Sequence, residues 1–366
     1  MESIVARRDA WRSGEEKLRQ WHGQVVEAAV EPELAIVDAH HHLWDYRQLM
    51  GHNLLGILKQ QYYMTDELVD DIVGAGHRVT HTVYVEAHAF HGVDDGELCA
   101  PVGEVRFAQG IAAQFASDAY GKGVRACAAI VGTADLAKHG AAVEPALLAM
   151  KAQCPNFRGI RCSATHDSKM VNNNYASPGL YKKASFREGF ALLQKHGLSF
   201  DAWMYSSQLS ELRDLARAFP KTTIVLDHCG TPACGLGNVA GAVEYDGKQR
   251  QILDGWRGQM TMIAEECPNV FVKLGGGVIP QVGAGFESRD VPPDSKELAE
   301  TLRDMYMWTI ATFGADRCMF ESNFPVDKVA VSYGVLWNAY KLMTKDLPAH
   351  EREMLFSGTA KKVYRI

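Results

Sequence analysis

The sequence of 366 residues predicts an α/β protein: a (β/α)8 barrel preceded by an N-terminal helical extension. Short apolar runs recur along the chain, with helical stretches between them. Within the runs apolar and polar residues do not alternate, so both faces of each strand are buried, as in a parallel sheet covered by helices. Histidines, carboxylates and cations sit at the C-terminal ends of these runs, where barrel folds gather their chemistry. Periodicity alone leaves an open doubly wound sheet as the other arrangement.

Residues 1–30 form the extension. Leu18, Trp21, Val25 and Val26 fall roughly on one face, and the segment is expected to pack on the barrel exterior or on a second subunit. The barrel domain follows at 31–366. Strands are read at 34–40, 80–86, 125–131, 157–162, 198–203, 223–228, 270–275 and 317–323. Helices are read at 104–120, 139–153, 185–196, 207–219, 250–266 and 294–313, then 331–346 and 349–357. No internal repeat is visible. The connections 43–65, 163–184 (carrying Asn172, Asn173, Asn174 and Tyr175) and 276–293 are long for α/β loops. All follow strands, which places them on the catalytic face as lids and substrate-selecting loops. Gly275, Gly276 and Gly277 imitate a phosphate-cradling loop, but no Lys-Ser/Thr follows them.

Hydrophobic residues make up 47% of the chain, enough for a full core, and the net charge of −6 comes without a basic run. Nucleic-acid and membrane-surface binding are therefore not expected. No apolar stretch reaches the roughly 18 residues of a spanning helix. The charged, Trp-containing start does not read as a signal peptide. Eight cysteines are scattered without a C-x-x-C pair, as expected of reduced thiols in a cytoplasmic protein.

The chemistry concentrates at the strand ends. Residues two apart in a strand share a face, so His40 and His42 present two imidazoles together. The second strand delivers Glu86, with His88 just beyond. The fourth delivers Arg161, the fifth Asp201 or Trp203, the sixth His228, the seventh Lys273, and the eighth Asn323, with Asp327 four residues later. Each has a plainer reading. Glu86 and Asp201 are candidate ion-pair partners of Arg161 and Lys273, and His88 and His91 are candidate loop residues. Asp227 alternates with His228 and is expected to point away from the site. Asp327 is a candidate cap for the last long helix.

The segment Ile36 to Asp45 resembles the opening of the amidohydrolase superfamily, and more narrowly its amidohydrolase-2 branch of TIM-barrel hydrolases. That branch includes sugar-lactone and pyrone-dicarboxylate lactonases. Ile224 to Pro232 is similar to the family's sixth strand, Val270 to Gly276 to its seventh, and Arg317 to Pro325 to its eighth. Leu355 to Tyr364 is similar to its ending. The strand count of eight rests partly on this resemblance. It implies that His40, His42 and His228 line a metal or water site. The family's eighth strand normally supplies an aspartate in a Gly-Ser-Asp-Trp-Pro-like motif, and here that position is Asn323.

An amide takes no proton near neutral pH, so Asn323 is no general base. The set His40, His42, His228 and Asn323 holds no anion, and Lys273 adds a repelling charge. Three neutral histidines suffice for zinc, but a metal-free site is the expectation. Lys273 and Arg161 are then expected to polarise a carbonyl and hold a substrate carboxylate. One of the histidines, Asp327 or Glu86 would activate water, and Glu86, Arg161 and Trp203 would contact substrate. The expected function is hydrolysis of a lactone or ester in a small anionic metabolite. An aromatic-acid decarboxylase and a non-catalytic binding protein are the alternatives. Oligomeric state is left open.

Overall fold

The computed structural model describes residues 14–47, 60–170 and 175–366. Eight strands form one sheet: β1 Ile36–His41, β2 Val79–Val85, β3 Arg125–Thr133, β4 Phe157–Ser163, β5 Ser199–Trp203, β6 Ile224–Leu226, β7 Val270–Leu274 and β8 Cys318–Phe320. They follow one another in chain order, and every neighbouring pair is parallel. The seam between β1 and β8 is closed past the end of β8: Asn323 N–H donates to His40 O at 2.9 Å and His42 N–H to Phe324 O at 2.8 Å. The arrangement is a TIM barrel. The open doubly wound sheet is excluded by this closure.

The strand and helix positions follow the sequence reading closely, with physical reasons for the exceptions. β6 and β8 are three residues each, because His228 (φ 54°), Cys229 (φ 54°) and Asn323 (φ 54°) turn the chain through the left-handed region. That conformation is costly for residues other than glycine and persists only where the surroundings impose it. The helix Thr65–Ile72, which the sequence reading did not place, starts at the last residue of the long first loop. Just before it, Tyr62–Tyr63 pairs antiparallel with Trp44–Asp45.

The outward faces of the strands pack on the helical layer. The barrel interior is filled by Val37, Val83, Val131, Val225 and Met319, with Ala360, Val363 and Tyr364 of the C-terminal helix Thr359–Tyr364 plugging one end. Branched apolar side chains crowd such an interior, so chemistry is confined to the opposite mouth.

The N-terminal segment is helical at 14–22 and packs on the barrel exterior of its own chain. Trp21 Nε1 donates to Arg289 O at 2.9 Å, and Val30 N–H donates to Asn338 Oδ1 at 2.7 Å. Val26, expected on the buried face, is exposed because the helix has already ended. All eight cysteines are free thiols. No described helix is long and apolar enough to cross a membrane.

Candidate active site

The ends of β1, β2, β4, β5 and the turns after β6 and β8 enclose a cavity of about 130 Å3. His42, His228, Asn323, Glu86 and Arg161 supply its polar side, and Trp44, Tyr46, Tyr175, Trp203, Ile279 and Val326 its apolar walls. Trp44 stacks on His42 from one side and on Tyr46 from the other, with ring centroids 5.6 and 5.2 Å apart. Across the cavity Tyr175 lies 5.3 Å from Trp203.

His42 Nδ1 lies 2.8 Å from the Val85 carbonyl. A carbonyl only accepts, so Nδ1 carries the proton and Nε2 offers a lone pair. His228 Nδ1 lies 2.7 Å from Glu321 Oε1. Burial opposes ionisation of Glu321, but His228 and His40 outweigh it and hold the carboxyl at about 2. The carboxylate therefore accepts from Nδ1, and the His228 lone pair is left at Nε2. His40 is fully buried beneath them, its Nε2 3.1 Å from His42 Nε2 and its Nδ1 3.1 Å from Lys273 Nζ. Burial, and then the Lys273 charge, push its pKa well below the ordinary imidazole value. His40 Nδ1 also lies 2.9 Å from Glu321 Oε2, and Arg161 Nη1 lies 3.4 Å from His40 Nε2, so each ring nitrogen faces both a donor and a potential acceptor.

Beneath the histidines lies a layer of charge. Lys273 Nζ is 2.7 Å from Asp201 and 3.1 Å from Asp227, and Arg161 Nε donates to Glu86 at 2.7 Å. Tyr364 reaches up from the barrel plug to donate to Asp201 at 2.6 Å. Four buried carboxylates (Glu86, Asp201, Asp227 and Glu321) thus face two buried cations. Neither oxygen of Asp227, nor Glu321 Oε2, has a hydrogen-bond donor in line. These carboxylates are held by charge alone, Asp227 by Lys273 and Glu321 Oε2 by His40 at 2.9 Å, and His40, Asp227 and His228 can bring their donor atoms within 4.8 Å of one another.

The structure brings His40, His42, His228 and Asn323 together at the mouth, as expected, and pairs Glu86 with Arg161 and Asp201 with Lys273. Four expectations change. The site is not free of anions, because Glu321 and Asp227 both reach it. Asp227 does not point away: the strand stops at Leu226, so the alternation that would have turned it outward no longer applies. Lys273 has no exposure and does not line the cavity, so it holds Asp201, Asp227 and His40 rather than substrate. Arg161 borders the cavity, but its Nε and Nη2 are bound to the Glu86 carboxylate and carbonyl, at 2.7 and 2.6 Å.

Asp327 lies behind Asn323, accepting from its Nδ2 at 2.9 Å, and does not cap the last long helix, whose N-cap is Ser332. Burial raises its pKa well above the carboxylate range. The Asn323 carbonyl oxygen is left unpartnered at the cavity edge.

Sequence reasoning missed Glu321, although it stands two residues before Asn323, the same alternation that identified His40 and His42. It also missed the glycine run as packing. A Cβ on Gly275 would come within 2.1 Å of Glu321 Cγ, and one on Gly276 (φ 60°) within 2.6 Å of the His228 ring. These two glycines let the end of β7 pass directly behind the His228–Glu321 pair. Of the three long loops, the first supplies Trp44 and Tyr46, the second Tyr175 and the third Ile279 and Gln281. Asn172, Asn173 and Asn174 lie outside the described residues.

A family model described as amidohydrolase matches residues 37–366. The chain is 31% identical over 348 residues to an uncharacterised protein, y4mH, of Sinorhizobium fredii, covering 91% of this chain and 99% of that one. It is 28% identical over 245 residues to an L-fucono-1,5-lactonase of Burkholderia ambifaria, covering 65% of this chain and 71% of the relative. Among solved structures, an amidohydrolase from Burkholderia multivorans with bound zinc superposes with a TM-score of 0.65 at 23% identity, covering 91% and 99% of the two chains.

Proposed function

The chain belongs to the amidohydrolase family, and on that premise we propose that this hydrolase opens a lactone ring, or cleaves a comparably activated ester, by attack of water on the acyl carbon. The observation that carries the reading is the His228–Glu321 pair. A buried carboxylate fixes one imidazole nitrogen, and the other presents its lone pair to an aromatic cavity. A carboxylate-oriented imidazole is a recurrent device for taking a proton from an attacking water. The lactonase relatives support the choice of a cyclic ester, whose carbonyl demands less of a catalyst than an amide.

The cavity favours an uncharged reacting ring. Both cations beneath it are occupied, so neither is free to hold a carboxylate, while Trp44, Tyr46, Tyr175, Trp203, Ile279 and Val326 wall the cavity with apolar surface. This counts against a decarboxylase, which must seat a carboxylate at the reacting carbon.

The donor set fits a divalent cation. His40, His228 and Asp227 would hold it, with His42 Nε2 3.1 Å from His40 Nε2 as a further donor, and its charge would offset the negative excess beneath. Such an ion supplies Lewis acidity toward the ring carbonyl and acidifies bound water. His228 Nε2 serves as a ligand when an ion is bound and as the base when none is. The excess of buried carboxylates over buried cations favours the first.

The test is a panel of sugar and alkyl lactones, aryl esters and aromatic acids, assayed for base uptake and CO₂ release with chelator and with added zinc. Lactone opening is expected, lost with chelator and restored by zinc. Chelator-resistant turnover would assign His228 as the base. CO₂ release without lactone opening would overturn the proposal.

A further inference from the structure

The helix at 14–22 turns Glu15, Leu18, Trp21 and His22 toward the barrel, half-buried at helical spacing, and leaves its other side chains exposed. A carboxylate on the inward stripe of a surface helix needs partners there. Glu15 has two. Its Oε2 accepts from Nε2 of the buried Gln60, and its Oε1 lies 3.9 Å from Lys328 Nζ.

Both partners hold a wall of the catalytic cavity. The Gln60 carbonyl accepts from Trp44 Nε1 at 3.0 Å. Lys328 stands two residues after Val326, which packs on the cluster of Trp44, Ala87 and Ala89. Lys328 is also tied to Asp71 at 2.9 Å. Asp71 accepts from the Tyr63 hydroxyl at 2.7 Å, and Tyr63 pairs with Trp44 in the two-stranded ribbon. Glu15 thus stands behind Trp44 and Val326. The rest of the N-terminal segment is anchored elsewhere. Trp21 and Gln24 donate to the carbonyls of Arg289 and Asp290 at 2.9 and 3.1 Å. Glu27 accepts from Ser295 N–H and Asn338 Nδ2, both at 2.8 Å. Cutting the Glu15 contact therefore leaves the segment in place. The family model begins at residue 37, so Glu15 lies outside it.

We propose that Glu15 is a positioning residue for ring opening: through Gln60 it fixes Trp44, and the N-terminal segment thereby sets how closely the cavity fits the ring. This rests on the ring-opening reading and deepens it, because it names a determinant of ring size outside the cavity. Trp44 walls the ring and carries no reacting atom, so the effect falls on KM rather than on the chemical step.

The test measures opening of δ-valerolactone and ε-caprolactone by wild type, Glu15→Ala, Glu15→Gln, Gln60→Ala, the Glu15→Ala/Gln60→Ala double variant and Glu27→Gln. Loss of a buried hydrogen bond that holds the wall is expected to raise KM for δ-valerolactone about tenfold in Glu15→Ala, with kcat nearly unchanged and discrimination between the two rings reduced. Glu15→Gln keeps an acceptor for Gln60 and should restore most of the wild-type KM. The double variant should be no worse than the single ones, because the two side chains form one link. Glu27→Gln loosens the same segment away from the cavity, and should lower the melting temperature without raising KM. An unchanged KM in Glu15→Ala, additive effects in the double variant, or the same rise in Glu27→Gln would overturn the proposal. If no lactone is turned over, ¹⁹F NMR of protein labelled with 5-fluorotryptophan decides the point, the Trp44 line being assigned with Trp44→Phe. A Trp44 line shifted or broadened in Glu15→Ala and Gln60→Ala, but not in Glu15→Gln or Glu27→Gln, supports the link even though the hydrolytic reading has failed. A line that stays in place in Glu15→Ala, or moves equally in Glu27→Gln, overturns it.

Discussion

His228 depends on Glu321 for the position of its proton. Glu321→Gln keeps the size of the side chain but offers either a neutral oxygen or an N–H, and so loosens the tautomer that frees Nε2. Replacing a carboxylate behind a working imidazole costs roughly two to four orders of magnitude in turnover. The expected outcome is a kcat reduced about a hundredfold or more, with KM nearly unchanged and the melting temperature close to wild type. An unchanged kcat would show that the pair is only structural. The three histidines were legible because two-residue alternation and placement at a strand end need nothing beyond local sequence. Glu321 followed the same rule and was passed over in favour of Asn323. Asp227 was misread for a different reason. Its direction depends on where the strand ends, and that is set by the left-handed turn at His228, which no local propensity announces.

At the scale of elements, the helix Tyr333–Met343 clamps the N-terminal segment. Lys341 donates to the carbonyls of Val30 and Glu31 at 2.8 and 2.9 Å and to His77 Nδ1 at 2.9 Å, while His77 Nε2–H donates to Gly334 O at 3.1 Å. His77 accepts only when neutral. Burial, reinforced by Lys341, lowers its pKa from 6.5 to about 4. Between those values the unfolded chain binds a proton that the native chain refuses. The His77 contribution to stability is therefore complete above about pH 6.5 and lost as pH falls toward 4, at up to about 1.4 kcal/mol per pH unit. Urea unfolding at pH 7 and pH 4.5 checks this. His77→Gln retains an acceptor and a donor without titrating, so it should lose measurably less stability over that interval than wild type. Equal losses would contradict the clamp. The eight strands and most helices were readable because buried runs and helical faces are periodic. The helix Thr65–Ile72 was not, since only Leu68 and Ile72 of its eight residues are buried, too few to set a period.

For the whole molecule, the barrel divides the labour between its ends. Tyr364 and its neighbours fill one end with apolar volume and anchor Asp201 from below, and the buried ion layer fixes His40 from beneath. The long loops build the aromatic walls above. The sequence showed that loops would form this face, but not which of their side chains line it, because that is decided by packing between loops distant in the chain. The central claim is that water, activated where His228 presents Nε2 as ligand or as base, attacks the acyl carbon of a neutral ring. Its most direct test is lactone opening in ¹⁸O-water, followed by mass spectrometry of the product, for zinc-supplemented wild type and for His228→Ala. The account predicts a single ¹⁸O in the product carboxylate, none in the released hydroxyl, and loss of enzymatic turnover in the variant. Label in the hydroxyl, or full turnover by His228→Ala, would contradict it.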